Sequence, residues 1–184
     1  MQWGFYFNQT HCVGCYTCVV SCKDWHDVPA GPASWIRVKT LEKGKYPDLF
    51  VAFLVATCLH CFKPNCVSAC PVNAIVKREQ DGIVMVDTET CIGKSCQLCL
   101  ESCPYDAPQF GAEENAKMQK CDLCMERWTE GKKPICVDAC PMRALDAGPI
   151  EELRAKYGDI REAEGFVYSE DLAPSIIFKP KKDT

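Results

Sequence analysis

The stretch Cys91-Ile92-Gly93-Lys94-Ser95-Cys96-Gln97-Leu98-Cys99-Leu100-Glu101-Ser102-Cys103-Pro104 carries four cysteines spaced C-x4-C-x2-C-x3-C-P. Three other stretches repeat the plan. Cys12, Cys15, Cys18 and Cys22 read C-x2-C-x2-C-x3-C; Cys58, Cys61, Cys66 and Cys70 read C-x2-C-x4-C-x3-C-P; Cys121, Cys124, Cys136 and Cys140 read C-x2-C-x11-C-x3-C-P. Together they use all 16 cysteines of the 184-residue chain.

Three chemistries compete for so many thiols. A disulfide scaffold belongs to exported proteins, and Met1 leads almost directly to Cys12 with no basic and then apolar leader. A structural zinc site draws its ligand pairs from well-separated knuckles around one tetrahedral ion. Three closely spaced cysteines on one loop suit a larger object. A cubane of iron and sulfide presents several irons, each wanting one thiolate, and C-x2-C-x2-C-x3-C-P is the bacterial ferredoxin run whose fourth cysteine serves the other cluster. Sixteen thiolates then imply four [4Fe–4S] clusters. Proline after the fourth cysteine (Pro71, Pro104, Pro141) redirects the backbone there; Lys23 takes that position in the first group. The x4 spacing at Cys91 is read as an insertion absorbed by the loop, with Gly93 supplying backbone freedom.

The remaining composition excludes more than it assigns. A formal charge of −4 gives no nucleic-acid signature. The longest apolar run, 49–57, is strand-length and too short to span a membrane. The expectation is a soluble protein, in the cytoplasm, or in the periplasm if exported with a signal-bearing partner. Gly93-Lys94-Ser95 resembles the end of a phosphate-binding loop, but Thr88 stands where its first glycine belongs.

Cys70-Pro71-Val72-Asn73-Ala74-Ile75 matches Cys140-Pro141-Met142-Arg143-Ala144-Leu145, and Cys103-Pro104-Tyr105-Asp106-Ala107 echoes both, the mark of duplicated units. Strands are expected over 3–8, 50–55, 75–76 and 82–86, and helices over 17–26, 97–102 and 150–157. The segment from Cys58 to Cys103 alone reads as a two-cluster ferredoxin, which leaves the first and last cysteine groups for each other. The expected fold is α+β: two ferredoxin-like βαβ-type units, one inserted in the other, with short strands and helices. Residues 1–45 and 105–148 form the outer unit, 46–104 the inserted unit, and 149–184 a C-terminal extension.

The runs Gln2-Trp3-Gly4-Phe5-Tyr6-Phe7, Cys22-Lys23-Asp24, Cys58-Leu59-His60-Cys61, Cys103-Pro104-Tyr105-Asp106-Ala107-Pro108 and Lys120-Cys121-Asp122-Leu123-Cys124 together resemble the four-cluster iron–sulfur subunit of molybdopterin oxidoreductases. Dimethyl sulfoxide reductase, polysulfide reductase and formate dehydrogenase have such subunits. The resemblance covers roughly 2–148. It implies crossed ligation: Cys12, Cys15 and Cys18 with Cys140; Cys121, Cys124 and Cys136 with Cys22; Cys58, Cys61 and Cys66 with Cys103; Cys91, Cys96 and Cys99 with Cys70. It also implies no catalytic residue in this chain. Electrons would pass singly between a large molybdenum or tungsten bis-pterin subunit and a membrane anchor or soluble redox partner. The competing reading is a free-standing polyferredoxin.

Secondary expectations attach to other residues. Lys23, Lys94, Lys117, Lys120, Arg127 and Arg143 are cations able to offset cluster charge. His11 and His60 adjoin ligand cysteines. Trp25, Trp35 and Trp128 are expected to shield clusters from water. Ile176-Ile177-Phe178, followed by Lys179-Pro180-Lys181-Lys182, is expected as an arm that wraps the partner.

Overall fold

A computed structural model describes residues 1–182. In chain order the elements begin β1 (Trp3–Asn8), α1 (Thr17–Trp25), β2 (Ile36–Lys45), β3 (Asp48–Thr57) and α2 (Asn65–Ser68). Next come β4 (Ile75–Lys77), β5 (Val84–Val86), α3 (Leu98–Glu101), β6 (Gln109–Phe110) and β7 (Met118–Gln119). The chain continues through α4 (Met125–Thr129), α5 (Ile135–Asp138), β8 (Leu145–Pro149), α6 (Ile150–Tyr157) and β9 (Ile176–Lys179). The fold is mixed, with short strands and short helices.

β1 is the middle strand of the one three-stranded sheet among the described residues, in the order β8-β1-β9. β8 runs antiparallel to it, with Phe5 opposite Ala147; β9 runs parallel, with Tyr6 opposite Ile177. A central strand covered on both faces needs no polar side, and five of its six residues are buried. The main core collects Phe5, Phe7, Ile36, Leu54, Leu123 and Phe178, together with Cys18, Cys22, Cys58, Cys121, Cys136 and Cys140. Thiols thus occupy positions that aliphatic side chains fill elsewhere.

The third cysteine of every group sits at the second residue of a helix: Cys18 in α1, Cys66 in α2, Cys99 in α3 and Cys136 in α5. The fourth lies four residues on, one helical turn away. Where proline follows it, the helix stops after four residues. Lys23 keeps its N–H, and α1 runs nine residues straight through Cys22. The duplication also reaches further back than the cysteine-proline matches: Lys63-Pro64-Asn65-Cys66-Val67-Ser68-Ala69-Cys70 parallels Lys133-Pro134-Ile135-Cys136-Val137-Asp138-Ala139-Cys140. Both copies place proline just before a four-residue helix.

Two expectations concern segments that the structure pairs as strands. β2 and β3 form one antiparallel hairpin of ten residues a side, paired from Ile36–Thr57 to Lys45–Asp48. The unit boundary expected at 45/46 falls at its tip and is no linker. β2 escaped notice because everything after Val38 except Leu41 is polar or small, which leaves no apolar face to mark a strand. The expected C-terminal arm is also spent on its own chain. Ile176, Ile177 and Phe178 are buried in β9, at about 1.5–3 kcal/mol each for their apolar surface, so they are not free to wrap a partner. The last two residues of the expected extension lie outside the described ones. Among the described residues, no helix is long and apolar enough to cross a membrane.

Candidate iron–sulfur centres

The site residues come together from distant parts of the chain. Cys12, Cys15, Cys18 and Cys140 line one cavity, with Gly14, Val38, Val55 and Leu145 on its walls. Cys70, Cys91, Cys96 and Cys99 line a second, walled by Ile75, Phe110 and Met118. Each holds three cysteines from one group and the fourth of another. Apart from sulfur, both cavities are almost wholly apolar. Four thiols and nothing else that binds a cation suit a thiolate-ligated cluster better than a hydrated ion.

The other eight cysteines also crowd one another. Burial pushes the Cys61 and Cys66 thiols up to about 12, with Cys58 and Cys103 adding to the effect on both. Burial likewise drives Cys22 up to about 12, with Cys124 as its first charged neighbour. Cys121 and Cys136 rise well above the ordinary range, again through burial first, then through Cys22 acting on Cys121 and through Cys121 and Cys124 acting on Cys136. Thiols crowded and dried in this way stay protonated at neutral pH unless a cation replaces the proton. All sixteen cysteines are free of disulfides.

The loops that present these sulfurs depend on left-handed backbone. Tyr16 and Gln97 adopt it directly before α1 and α3, as does Cys124 before α4. Asn73, Asp106 and Arg143 adopt it at the same step of the three cysteine-proline repeats, with φ of 52°, 51° and 49°. In each repeat that residue's amide donates to the cysteine's own carbonyl at 3.2–3.3 Å, closing a tight turn. The next residue is always alanine, and its N–H then faces the sulfur: Ala74 to Cys70 at 3.2 Å and Ala144 to Cys140 at 3.3 Å. Burial pushes Cys103 up, and the amides of Ala107 and Tyr105 hold it back. The extra residues of the Cys91 loop turn at Gly93, φ 97°, where a Cβ would come 3.1 Å from the Ala116 carbonyl oxygen. Gly93 does supply the freedom that insertion requires.

The other flagged side chains divide. His60 is fully buried; its Nδ1 accepts the Val84 amide at 3.0 Å, so its proton resides on Nε2, which has no partner among the described residues. His11 is exposed. The histidine that reaches a cysteine is the third one, His26: its Nε2 lies 3.2 Å from Cys124 Sγ and 3.8 Å from Asp122 Oδ1. Sequence adjacency hid this contact, because 98 residues separate the two. Trp35 and Trp128 pack against the cysteine-rich core. Trp25 is 42% exposed, its indole N–H donating to Glu126 and its ring lying over Arg127.

Comparison with known proteins agrees with this architecture. The family description "4Fe-4S dicluster domain" matches residues 49–150, and a second of the same description matches 11–75. The protein is 41% identical to one of the polypeptides of the anaerobic dimethyl sulfoxide reductase of Escherichia coli K12, over 100% of this sequence and 91% of that one. It is 40% identical to the namesake of that polypeptide in Haemophilus influenzae, over 98% and 90%. It is 38% identical to a subunit of the sulfite dehydrogenase of Allochromatium vinosum, over 94% and 80%. Its sixteen cysteines fit four [4Fe–4S] clusters, and the chain belongs to the 4Fe–4S dicluster family of electron-transfer proteins that includes this polypeptide of anaerobic dimethyl sulfoxide reductase.

Proposed function

We propose that the chain relays single electrons along four cubanes set in a line, as the electron-transfer subunit of a larger oxidoreductase. The quartets assigned are Cys12, Cys15, Cys18 and Cys140; Cys22, Cys121, Cys124 and Cys136; Cys58, Cys61, Cys66 and Cys103; and Cys70, Cys91, Cys96 and Cys99. The observation that carries the reading is that neighbouring quartets adjoin pairwise. One helical turn separates Cys18 from Cys22 and Cys136 from Cys140, joining the first two quartets; one turn likewise separates Cys66 from Cys70 and Cys99 from Cys103, joining the last two; and Cys58 shares the main core with Cys121. These three junctions order the quartets in the sequence just given, with the Cys12 and Cys91 groups at the ends. The end nearest Cys15 is open to solvent, which suits exchange with a partner. A cubane supplies one-electron chemistry when bound; the protein's part is to hold it, dry it and set its potential through sulfur hydrogen bonds and nearby charge.

The nested arrangement of two units is part of this proposal. It is supported by β1 pairing with β8 across the intervening chain and by the cysteine-proline repeats. The partner is a larger catalytic subunit, a reading supported by the names of the relatives, which are a chain of a reductase and a subunit of a dehydrogenase; that it carries a molybdenum or tungsten pterin is what the sequence resemblance implies. Anaerobic purification from the native source tests it. Stoichiometric co-elution with a large pterin protein is expected; elution alone, with the clusters still reducible, would favour a free carrier.

A further inference from the structure

Of the six cations that the sequence places near the ligand loops, five are accounted for without the clusters, and Lys77, which is not buried, spends its ammonium on the Cys61 and Phe62 carbonyls. Arg127 pairs with Asp138 at 2.5 Å. Lys23, Lys94, Lys117 and Arg143 are not buried, and each donates to a backbone carbonyl. Lys120 differs. It is 2% exposed, and its ammonium donates to the carbonyls of Val84 and Cys121 (2.9 Å for the latter). Among the described residues, no carboxylate lies within ion-pair distance of it. An ammonium has three donors and no way to delocalise its charge. Two carbonyl dipoles do not balance a cation removed from water, and buried charges are ordinarily paired.

The negative charge it faces is sulfur. The Lys120 ammonium bonds the Val84 carbonyl, and the Val84 amide bonds His60, within the loop between Cys58 and Cys61. It is also bonded to the carbonyl of Cys121, which shares the main core with Cys58. Lys120 therefore stands where the second and third quartets of the line meet. His60 clamps it indirectly: Val84 donates its N–H to His60 Nδ1, and its carbonyl accepts from Lys120. Because its Nδ1 accepts that amide, His60 carries a single proton and adds no second cation there.

We propose that Lys120 is the fixed buried counter-charge of the cubane held by Cys58, Cys61, Cys66 and Cys103, raising its reduction potential above that of the same cubane without the lysine. A thiolate-ligated cubane carries about −2 when oxidised and about −3 after one electron is added. A fixed cation favours the more negative state, and in a low dielectric it does so strongly. Lys120 is thus a positioning and tuning residue: it touches no substrate, and its effect is on the electron affinity of one step in the relay.

This inference rests on the four-cluster reading above. The test is a potentiometric titration of the full chain with its partner, followed by electron paramagnetic resonance. Lys120→Met is expected to lower one potential of the four by at least tenfold in its reduction equilibrium, or 59 mV for a one-electron couple, leaving the rest in place. Lys120→Arg is expected to restore most of the loss. Four unchanged potentials in a Lys120→Met protein with full iron would overturn the proposal. Should that variant lose iron, Lys120→Gln, which keeps a donor without the charge, decides on the same criterion. Absence of cubane signals from the parent protein would instead remove the relay reading itself.

Discussion

The amide of Ala144 points at the sulfur of Cys140 across 3.3 Å, and Ala74 does the same to Cys70 at 3.2 Å. Both bonds follow a residue in left-handed conformation, Arg143 and Asn73. A helix brings the sulfur in, proline ends the helix, and the turn swings the next amide back onto the sulfur.

That geometry makes Arg143 a conformational residue more than a charge. A β-branched side chain at φ 49° is strained. Arg143→Val is expected to cost about 1–2 kcal/mol, and Arg143→Gly to stay near the parent or above it. Anaerobic thermal unfolding checks the pair. Equal losses in both variants would show that the guanidinium matters and the backbone does not.

Gly14 is the most constrained position in the loop from Cys12 to Cys15. Its φ is 66°, and a Cβ there would lie 2.4 Å from the Phe53 ring. Gly14→Ala must therefore move either the loop or the β3 strand beneath it. The expected outcome is loss of the cluster in the Cys12 quartet, with iron per chain falling by about a quarter. Full iron in that variant would mean the loop tolerates the shift.

Asp146 fastens β8 to α6 and to the loop before α5. It accepts from Tyr157 Oη at 2.8 Å, Lys156 Nζ at 3.2 Å and Lys133 Nζ at 3.0 Å. Burial alone would raise its pKa; Lys133, Tyr157, Lys156 and the Ala147 amide outweigh that and hold it below the ordinary carboxylate value. A depressed carboxylate contributes stability that is fully present above its unfolded value and lost as pH falls through the lower folded one. Asp146→Asn is expected to lose about 1–2 kcal/mol at pH 7, the gap to the parent closing below about pH 4. A gap independent of pH would assign the effect to packing.

Much of the centre was legible because cysteine spacing is a covalent constraint on what a loop can surround. The strand 3–8 and the helices at 17 and 150 were legible as well, since burial writes a pattern into each. The β2 strand was not, because its exposed, lysine-rich half carries no such pattern. Nor was β9: Ile176-Ile177-Phe178 looks the same whether it covers a partner or completes a sheet, and only the parallel pairing with β1 distinguishes the two. The His26–Cys124 contact and the burial of Lys120 are products of tertiary packing and leave no local trace.

The most direct test of the central claim is a count of iron and acid-labile sulfide in anaerobically isolated protein, alongside zinc. Four cubanes require about sixteen irons and as many sulfides per polypeptide. Zinc without sulfide, or iron that stays near a quarter of that value after anaerobic reconstitution, would contradict the account.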